Sequence, residues 1–256
     1  MKPLSISTAW NETAAFVRRE WGILFPIGLA LIALPTAFFQ LIAPRAAPGQ
    51  TPEPGPWMWF IIPLALLGAL GTLTITILAT NRESLVKSAF GLAFRRIVPL
   101  IGAVLLLILF LFPMALVAGL MGLAGPIGAA VGILLALGVM VMVWVRMMLM
   151  SPVAAVEPLG PMAILKRSWS LTAPYFWKLL GFVLLLIILF IVISLAATAV
   201  AGLLIVLLAG SPDPGSFSYF LLSLLGAVVN GVIGVFFAVL IARVYVQLAA
   251  APTSGT

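Results

Sequence analysis

Six carboxylates are all the acidic chemistry available in this 256-residue sequence: Glu12, Glu20, Glu53, Glu83, Glu157 and Asp213. A proton relay inside a membrane, or a general acid–base pair, needs titratable groups held together away from bulk water. All six fall between or beside long apolar runs, so no buried carboxylate pair is expected. Histidine and cysteine are absent. Their absence removes the usual base near neutral pH, thiolate nucleophiles, disulfides and the common metal ligands. No Gly-Lys-Ser/Thr phosphate cradle occurs either. Catalysis, a metal site and a cofactor are therefore not expected. What remains are residues that bind by charge, hydrogen bonding or aromatic stacking.

Four groups of such residues stand out. Arg146 and Glu157 flank the turn after the fourth apolar run and could pair, either as a headgroup or gating site or, as the plainer reading, as an ion pair at a helix end. Lys166, Arg167, Ser168 and Trp169 set two cations, a hydroxyl and an indole side by side. Arginine takes phosphate oxygens in bidentate fashion, so this group could grip a phospholipid phosphate; ordinary interfacial anchoring is the plainer reading. Arg95 and Arg96 carry the same two readings. Asn230 lies deep in the last apolar run, with Ser223, Ala227, Gly234 and Ala238 near it at helical spacing. It could line a polar cavity, but a small-residue packing seam in which the amide bonds a neighbouring helix is preferred. Gly128 and Gly132 suggest close packing in the same way. Arg243, about two turns from the end of that last run, is expected to snorkel to the headgroups.

The elements that position these residues follow from composition. Hydrophobic residues make up 64% of the chain and charged residues 7%, against about a quarter charged in a soluble domain. A membrane-crossing helix needs about 20 apolar residues. Runs of that length cover 22–42, 57–80, 97–123, 127–150, 178–209 and 217–249. The first starts late and is long enough to span, so it is expected to be retained rather than cleaved as a signal peptide. Pro26, Pro35 and Pro113 should bend or locally open their helices. Thr72, Thr74 and Thr76 can return their hydroxyls to the preceding turn.

Three amphipathic segments precede the odd-numbered runs. In 1–21, Trp10, Ala14, Val17 and Trp21 share a face, as in a helix lying in the headgroup plane. In 82–96, Asn81 is a candidate N-cap and Val86, Phe90 and Ala93 form the apolar side. The third opens at Gly160 and Pro161, with Met162, Leu165 and Trp169 on one face. It belongs to the stretch 146–181, which leaves one span, passes a short polar turn and enters the next. The plan therefore reads as a single six-span domain of three units, approximately 5–80, 82–150 and 160–249. Each unit is an amphipathic helix followed by a transmembrane hairpin, and the period is about 78 residues. The repeat lies in hydropathy more than in side-chain identity. The fold class is all-α integral membrane.

Charge sets the expected orientation. Lys2, Arg18, Arg19, Arg82, Lys87, Arg95, Arg96, Arg146, Lys166, Arg167, Lys178 and Arg243 gather on one side of the six runs, and Arg45, Glu53 and Asp213 on the other. Positive residues in short loops stay on the cytoplasmic side, which predicts both termini there. The net charge of +7 is then accounted for by orientation and anionic lipid, without a nucleic-acid partner.

The residues Arg146, Pro152, Glu157, Gly160-Pro161, Ala163, Leu165, Arg167-Ser168-Trp169, Leu171-Thr172 and Trp177 carry a resemblance. Their pattern is similar to the membrane domain fused to some bacterial glycerophosphoryl diester phosphodiesterases, and to related six-span inner-membrane proteins. The likeness is most specific over 146–181 and extends over the rest by topology. It implies a bacterial inner-membrane protein. The soluble phosphodiesterase barrel and its histidines have no counterpart in these residues, so the likeness does not carry an activity across. The expected function is a non-catalytic membrane component that binds or organises lipids, or supports a larger membrane assembly. Its expected partners are anionic headgroups and a membrane protein or a second copy. The alternatives are a transporter or permease for a lipid-like or amphiphilic solute and a component acting with a separate phosphodiesterase.

Overall fold

The computed structural model describes residues 5–43, 53–81, 85–211 and 216–250. Lys2, Arg45, Arg82, Glu83 and Asp213 lie outside the described residues. The described chain is all-helical apart from turns and short irregular links. Six helical stretches are long and apolar enough to cross a membrane: Trp21–Ile42, Pro56–Thr80, Val86–Gly122, Pro126–Val156, Pro161–Leu208 and Phe217–Ala249. The protein is thus a multi-pass membrane protein by length and composition.

The helices in order are α1 (Ile6–Arg19), α2 (Trp21–Gly28), α3 (Leu34–Ile42), α4 (Ile61–Thr80), α5 (Val86–Gly122), α6 (Pro126–Met147), α7 (Met150–Val156), α8 (Pro161–Thr172), α9 (Phe176–Ala209) and α10 (Phe217–Ala249). A π-helical turn, Leu29–Ala33, joins α2 to α3 within the first span. It sits between Pro26 and Pro35, where each proline removes a donor from the ladder and crowds the turn before it. Leu34 N–H accordingly reaches back five residues to the Leu29 carbonyl. Thr36 donates its hydroxyl to the Ile32 carbonyl at 2.6 Å. The expected opening of this span is therefore a widened turn.

The core runs along α10, which packs against α4, α9, α1 and the first span. Its buried seam is Ala227, Gly231, Val235 and Ala238. A Cβ on Gly231 would stand 2.7 Å from Ala33 Cβ, and one on Gly71 of α4 2.8 Å from Leu31 Cβ. Small residues thus let three spans meet around the π turn. The α5–α6 hairpin is closed in the same way: a Cβ on Gly132 would lie 2.8 Å from the Ala118 carbonyl. Gly125 turns that hairpin at φ 92°, a left-handed value that favours glycine, and Pro126 follows in the first turn of α6. In α4 the threonines bond back as expected: Thr72 to Gly68 at 2.9 Å, Thr74 to Leu70 at 2.8 Å and Thr76 to Thr72 at 2.7 Å.

The amphipathic segments differ from expectation in three ways. First, the middle one is not a separate helix. It is the opening of α5, which runs unbroken through Arg95, Arg96 and Pro99; its buried residues include Ala89 and Ala93, while Val86 and Phe90 are exposed. Leu85 stands at the N-cap position of α5, and Asn81 ends α4 instead. Second, the faces are rotated. Helix α1 buries Ala9, Thr13 and Phe16 against α10, leaving Ala14 and Trp21 outward. Helix α8 buries Ile164, Leu165, Ser168, Leu171 and Thr172, leaving Met162 and Trp169 outward. A stripe of large apolar residues marks a core face only when water lies on the opposite side. Beside lipid, bulky residues can face outward, and small or hydroxyl-bearing ones such as Ala9, Thr13 and Ser168 join the buried face. Third, the expected polar turn after the fourth span contains α7, a buried helix with Pro152, Val153, Ala154 and Ala155 packed against α4, α5 and α8.

Candidate functional site

Side chains from α5, α8 and α10 converge on Glu157. This residue ends α7 with an extended backbone, φ −94° and ψ 131°, which turns its side chain and carbonyl toward three other helices. Its Oε1 accepts from Tyr245 of α10 at 2.7 Å and from Arg167 Nε of α8 at 3.0 Å. Its carbonyl oxygen accepts from Arg96 Nη1 of α5 at 3.2 Å and from its own loop at Leu159 N–H, 2.9 Å. One short loop is thereby tied to the third, fifth and sixth apolar stretches. Glu157 and Arg167 remain partly open, with side chains 23% and 34% exposed, whereas Tyr245 is 4% exposed.

Arg146 does not form the pair with Glu157 that their spacing suggests; Arg167 takes that place. The Arg146 guanidinium lies instead between two aromatic rings, 4.9 Å from the centroid of Trp169 and 5.1 Å from that of Phe176. Delocalised, weakly hydrated guanidinium suits such faces better than ammonium does. Its Nε and Nη1 are shielded and have no acceptor among the described residues. The Arg146 carbonyl, in the last turn of α6, accepts from Ser168 Oγ at 2.8 Å and Thr172 Oγ1 at 3.3 Å. These bonds pin α8 across the end of α6.

The sequence quartet on α8 is thus divided by the fold. Ser168 is buried as a structural donor and Arg167 is held by Glu157, while Lys166 and Trp169 face outward. Arg95 is exposed and Arg96 turns inward to the Glu157 carbonyl. Arg243 does not snorkel to the surface: it is 8% exposed, with its guanidinium 4.9 Å from the Phe16 centroid beneath α1. Arg19 lies 5.6 Å from the centroid of the same ring. Helix α1 covers Arg243 here and is anchored also by Ser5 N–H donating to Gln247 Oε1 at 3.2 Å.

Asn230 is not on the α10 seam. It is exposed on the side facing α9, and its Nδ2 donates to the Gly226 carbonyl of its own helix at 2.9 Å. The groove around it has a volume of about 580 Å³ and lies between α6, α9 and α10. Sequence reasoning missed Tyr245 and Gln247, which lie in an apolar run whose hydropathy hides them. The available signal was polar tips spaced along the last turns of a span that already carries Arg243.

The chain belongs to DUF7847, a domain family of unknown function, whose profile matches residues 4–248. No curated protein and no solved structure matches it. The likeness to the glycerophosphoryl diester phosphodiesterase membrane domain is accordingly not supported by any named relative.

Proposed function

We propose that this DUF7847 protein is a non-catalytic component of a bacterial inner membrane that binds and organises anionic lipid at its basic end. Both termini are cytoplasmic in this reading. The observation that carries it is the charge balance of that end. Arg95, Lys166 and Lys178 are exposed there, Arg146 lies between two rings with its Nε and Nη1 unpaired among the described residues, and Glu157 already serves Arg167 and Tyr245. A rigid, cationic surface with outward Trp169 and Trp177 matches the headgroup level of a negatively charged leaflet. The reading is supported in sequence by a hydropathy repeat, three units of amphipathic segment and hairpin, with basic residues ahead of each odd-numbered apolar run. The resemblance noted over 146–181 points to the same kind of membrane scaffold, and a protein partner or a second copy is compatible with it.

The test is lipid retention by the purified protein in native mass spectrometry. Lys166→Ala touches no internal contact described above and should leave stability within about 0.5 kcal/mol of wild type. It should nonetheless lower retention of phosphatidylglycerol relative to phosphatidylcholine. Equal retention by wild type and by a Lys166→Ala/Lys178→Ala/Arg95→Ala variant would remove the proposal. A second reading, a permease for a lipid-like solute, is favoured by the groove at Asn230; accelerated lipid exchange between the leaflets of reconstituted vesicles would support it.

A further inference from the structure

We propose that the groove between α6, α9 and α10 is a binding site for an uncharged lipid whose head is a hydroxyl group, of the diacylglycerol type, distinct from the anionic-lipid surface at the basic end. Binding there requires neither that surface nor transport.

The groove is lined by Trp144, Ile187, Phe190, Leu195, Ile233 and Phe237, among others, and three polar residues interrupt this wall: Ser194, Thr198 and Asn230. All three fall in the middle third of their helices, the depth at which an unsatisfied polar group costs most. The threonines of α4 return their hydroxyls to their own helix at 2.7–2.9 Å. Ser194 and Thr198 make no hydrogen bond among the described residues, and Asn230 makes only the one to Gly226. An amide oxygen, an amide N–H and two hydroxyls, from α9 and α10, thus line one groove with bonding capacity to spare.

The occupant is constrained by what else is present. Among the described residues no charged side chain lines the groove, so an ionised head would enter hydrocarbon uncompensated. Donors and acceptors stand together, which suits a head that both gives and takes a hydrogen bond. A hydroxyl does so; a ketone or an ester alone only accepts. A second transmembrane helix fits less well. Close helix pairs need small residues in the contact, and the apolar residues that line this groove are all bulky, Trp144, Phe190 and Phe237 among them. The remaining wall is bulky and aromatic, with an open volume suited to flexible chains. A second cavity of about 280 Å³ shares Trp144 and Phe237 with this one and leads toward Met147 and Met148, giving room for an acyl chain beyond the head.

The experiment uses the full chain in phosphatidylcholine vesicles containing a diacylglycerol with a photoreactive diazirine in one acyl chain. After irradiation, modified peptides are mapped by mass spectrometry. The expected result is labelling concentrated in peptides spanning 187–198 and 230–237. Unlabelled diacylglycerol should compete, and phosphatidic acid of the same chains should compete much less. Asn230→Leu should reduce labelling about fivefold, the equivalent of one net hydrogen bond. Ser194→Ala/Thr198→Ala, which preserves helix packing, should do the same and stands in if Asn230→Leu fails to fold. Labelling spread evenly over lipid-facing residues, equal competition by phosphatidic acid, or no loss in the variant that folds would each overturn the proposal. So would crosslinked dimers joined through the groove, which would assign it to a second copy.

Discussion

Replacing Glu157 with alanine removes the one acceptor shared by Tyr245 and Arg167, and the two losses differ in size. Tyr245 is 4% exposed and its hydroxyl lies 2.7 Å from Glu157 Oε1. A hydrogen bond to a charged partner is worth about 1.5–3 kcal/mol, and a buried hydroxyl left without an acceptor forfeits most of it. Arg167 is about a third exposed on its side chain, so water replaces much of its ion pair and about 0.5 kcal/mol is lost there. Glu157→Ala should therefore destabilise the protein by about 2–3 kcal/mol, with the tyrosine dominant. The decisive measurement is a double-mutant cycle with Tyr245→Phe, read as reversible unfolding in mixed micelles of rising denaturing-detergent fraction. Coupling between the two sites should be about 1–2 kcal/mol, while coupling between Glu157→Ala and Arg167→Ala should stay below about 0.7 kcal/mol. If Glu157→Ala and Tyr245→Phe add within about 0.3 kcal/mol, the carboxylate does not join α7 to α10 and the reasoning fails.

Other substitutions test separate parts of the architecture. Arg146→Lys keeps the charge but loses the flat face that Trp169 and Phe176 contact; it should cost about 1–2 kcal/mol in the same unfolding assay and red-shift Trp fluorescence as Trp169 loosens. Gly231→Leu forces a side chain into Ala33, where even a Cβ would stand 2.7 Å away. It should destabilise by about 1–3 kcal/mol or more, whereas Gly181→Leu, with open space around the glycine, should be close to neutral by thermal denaturation in detergent.

The six long apolar stretches were legible because length alone decides them: a run of that hydropathy has no other stable home. Prolines 26 and 35 announced a disturbance but not its form, since a π turn depends on the partners that Gly231 and Gly71 allow to approach. The inward faces of α1 and α8 were read only in part: Trp10, Val17 and Leu165 do pack on the core, while Ala14, Met162 and Trp169 turn outward. Periodicity finds the large apolar residues, but where lipid replaces water these need not all be inside, and Ala9, Thr13 and Ser168 share the buried positions with Phe16, Ile164 and Leu171. The basic residues of the candidate site were all visible in sequence, but their pairing was not. Arg146 and Glu157 are the nearest opposite charges across the turn, yet the buried α7 between them redirects one to a pair of rings and the other to Arg167 and Tyr245. Tyr245 was hidden because one phenol hardly lowers the hydropathy of a run as apolar as α10.

The whole account rests on six crossings with the cationic ends of the helices on the inner side. The direct measurement is a set of paired topology reporters, one active only in the cytoplasm and one only outside it, fused at the N-terminus, at the C-terminus and into the loop between 211 and 216. The account predicts cytoplasmic signal at both termini and external signal at the loop. External signal at either terminus, or cytoplasmic signal at the loop, would contradict it.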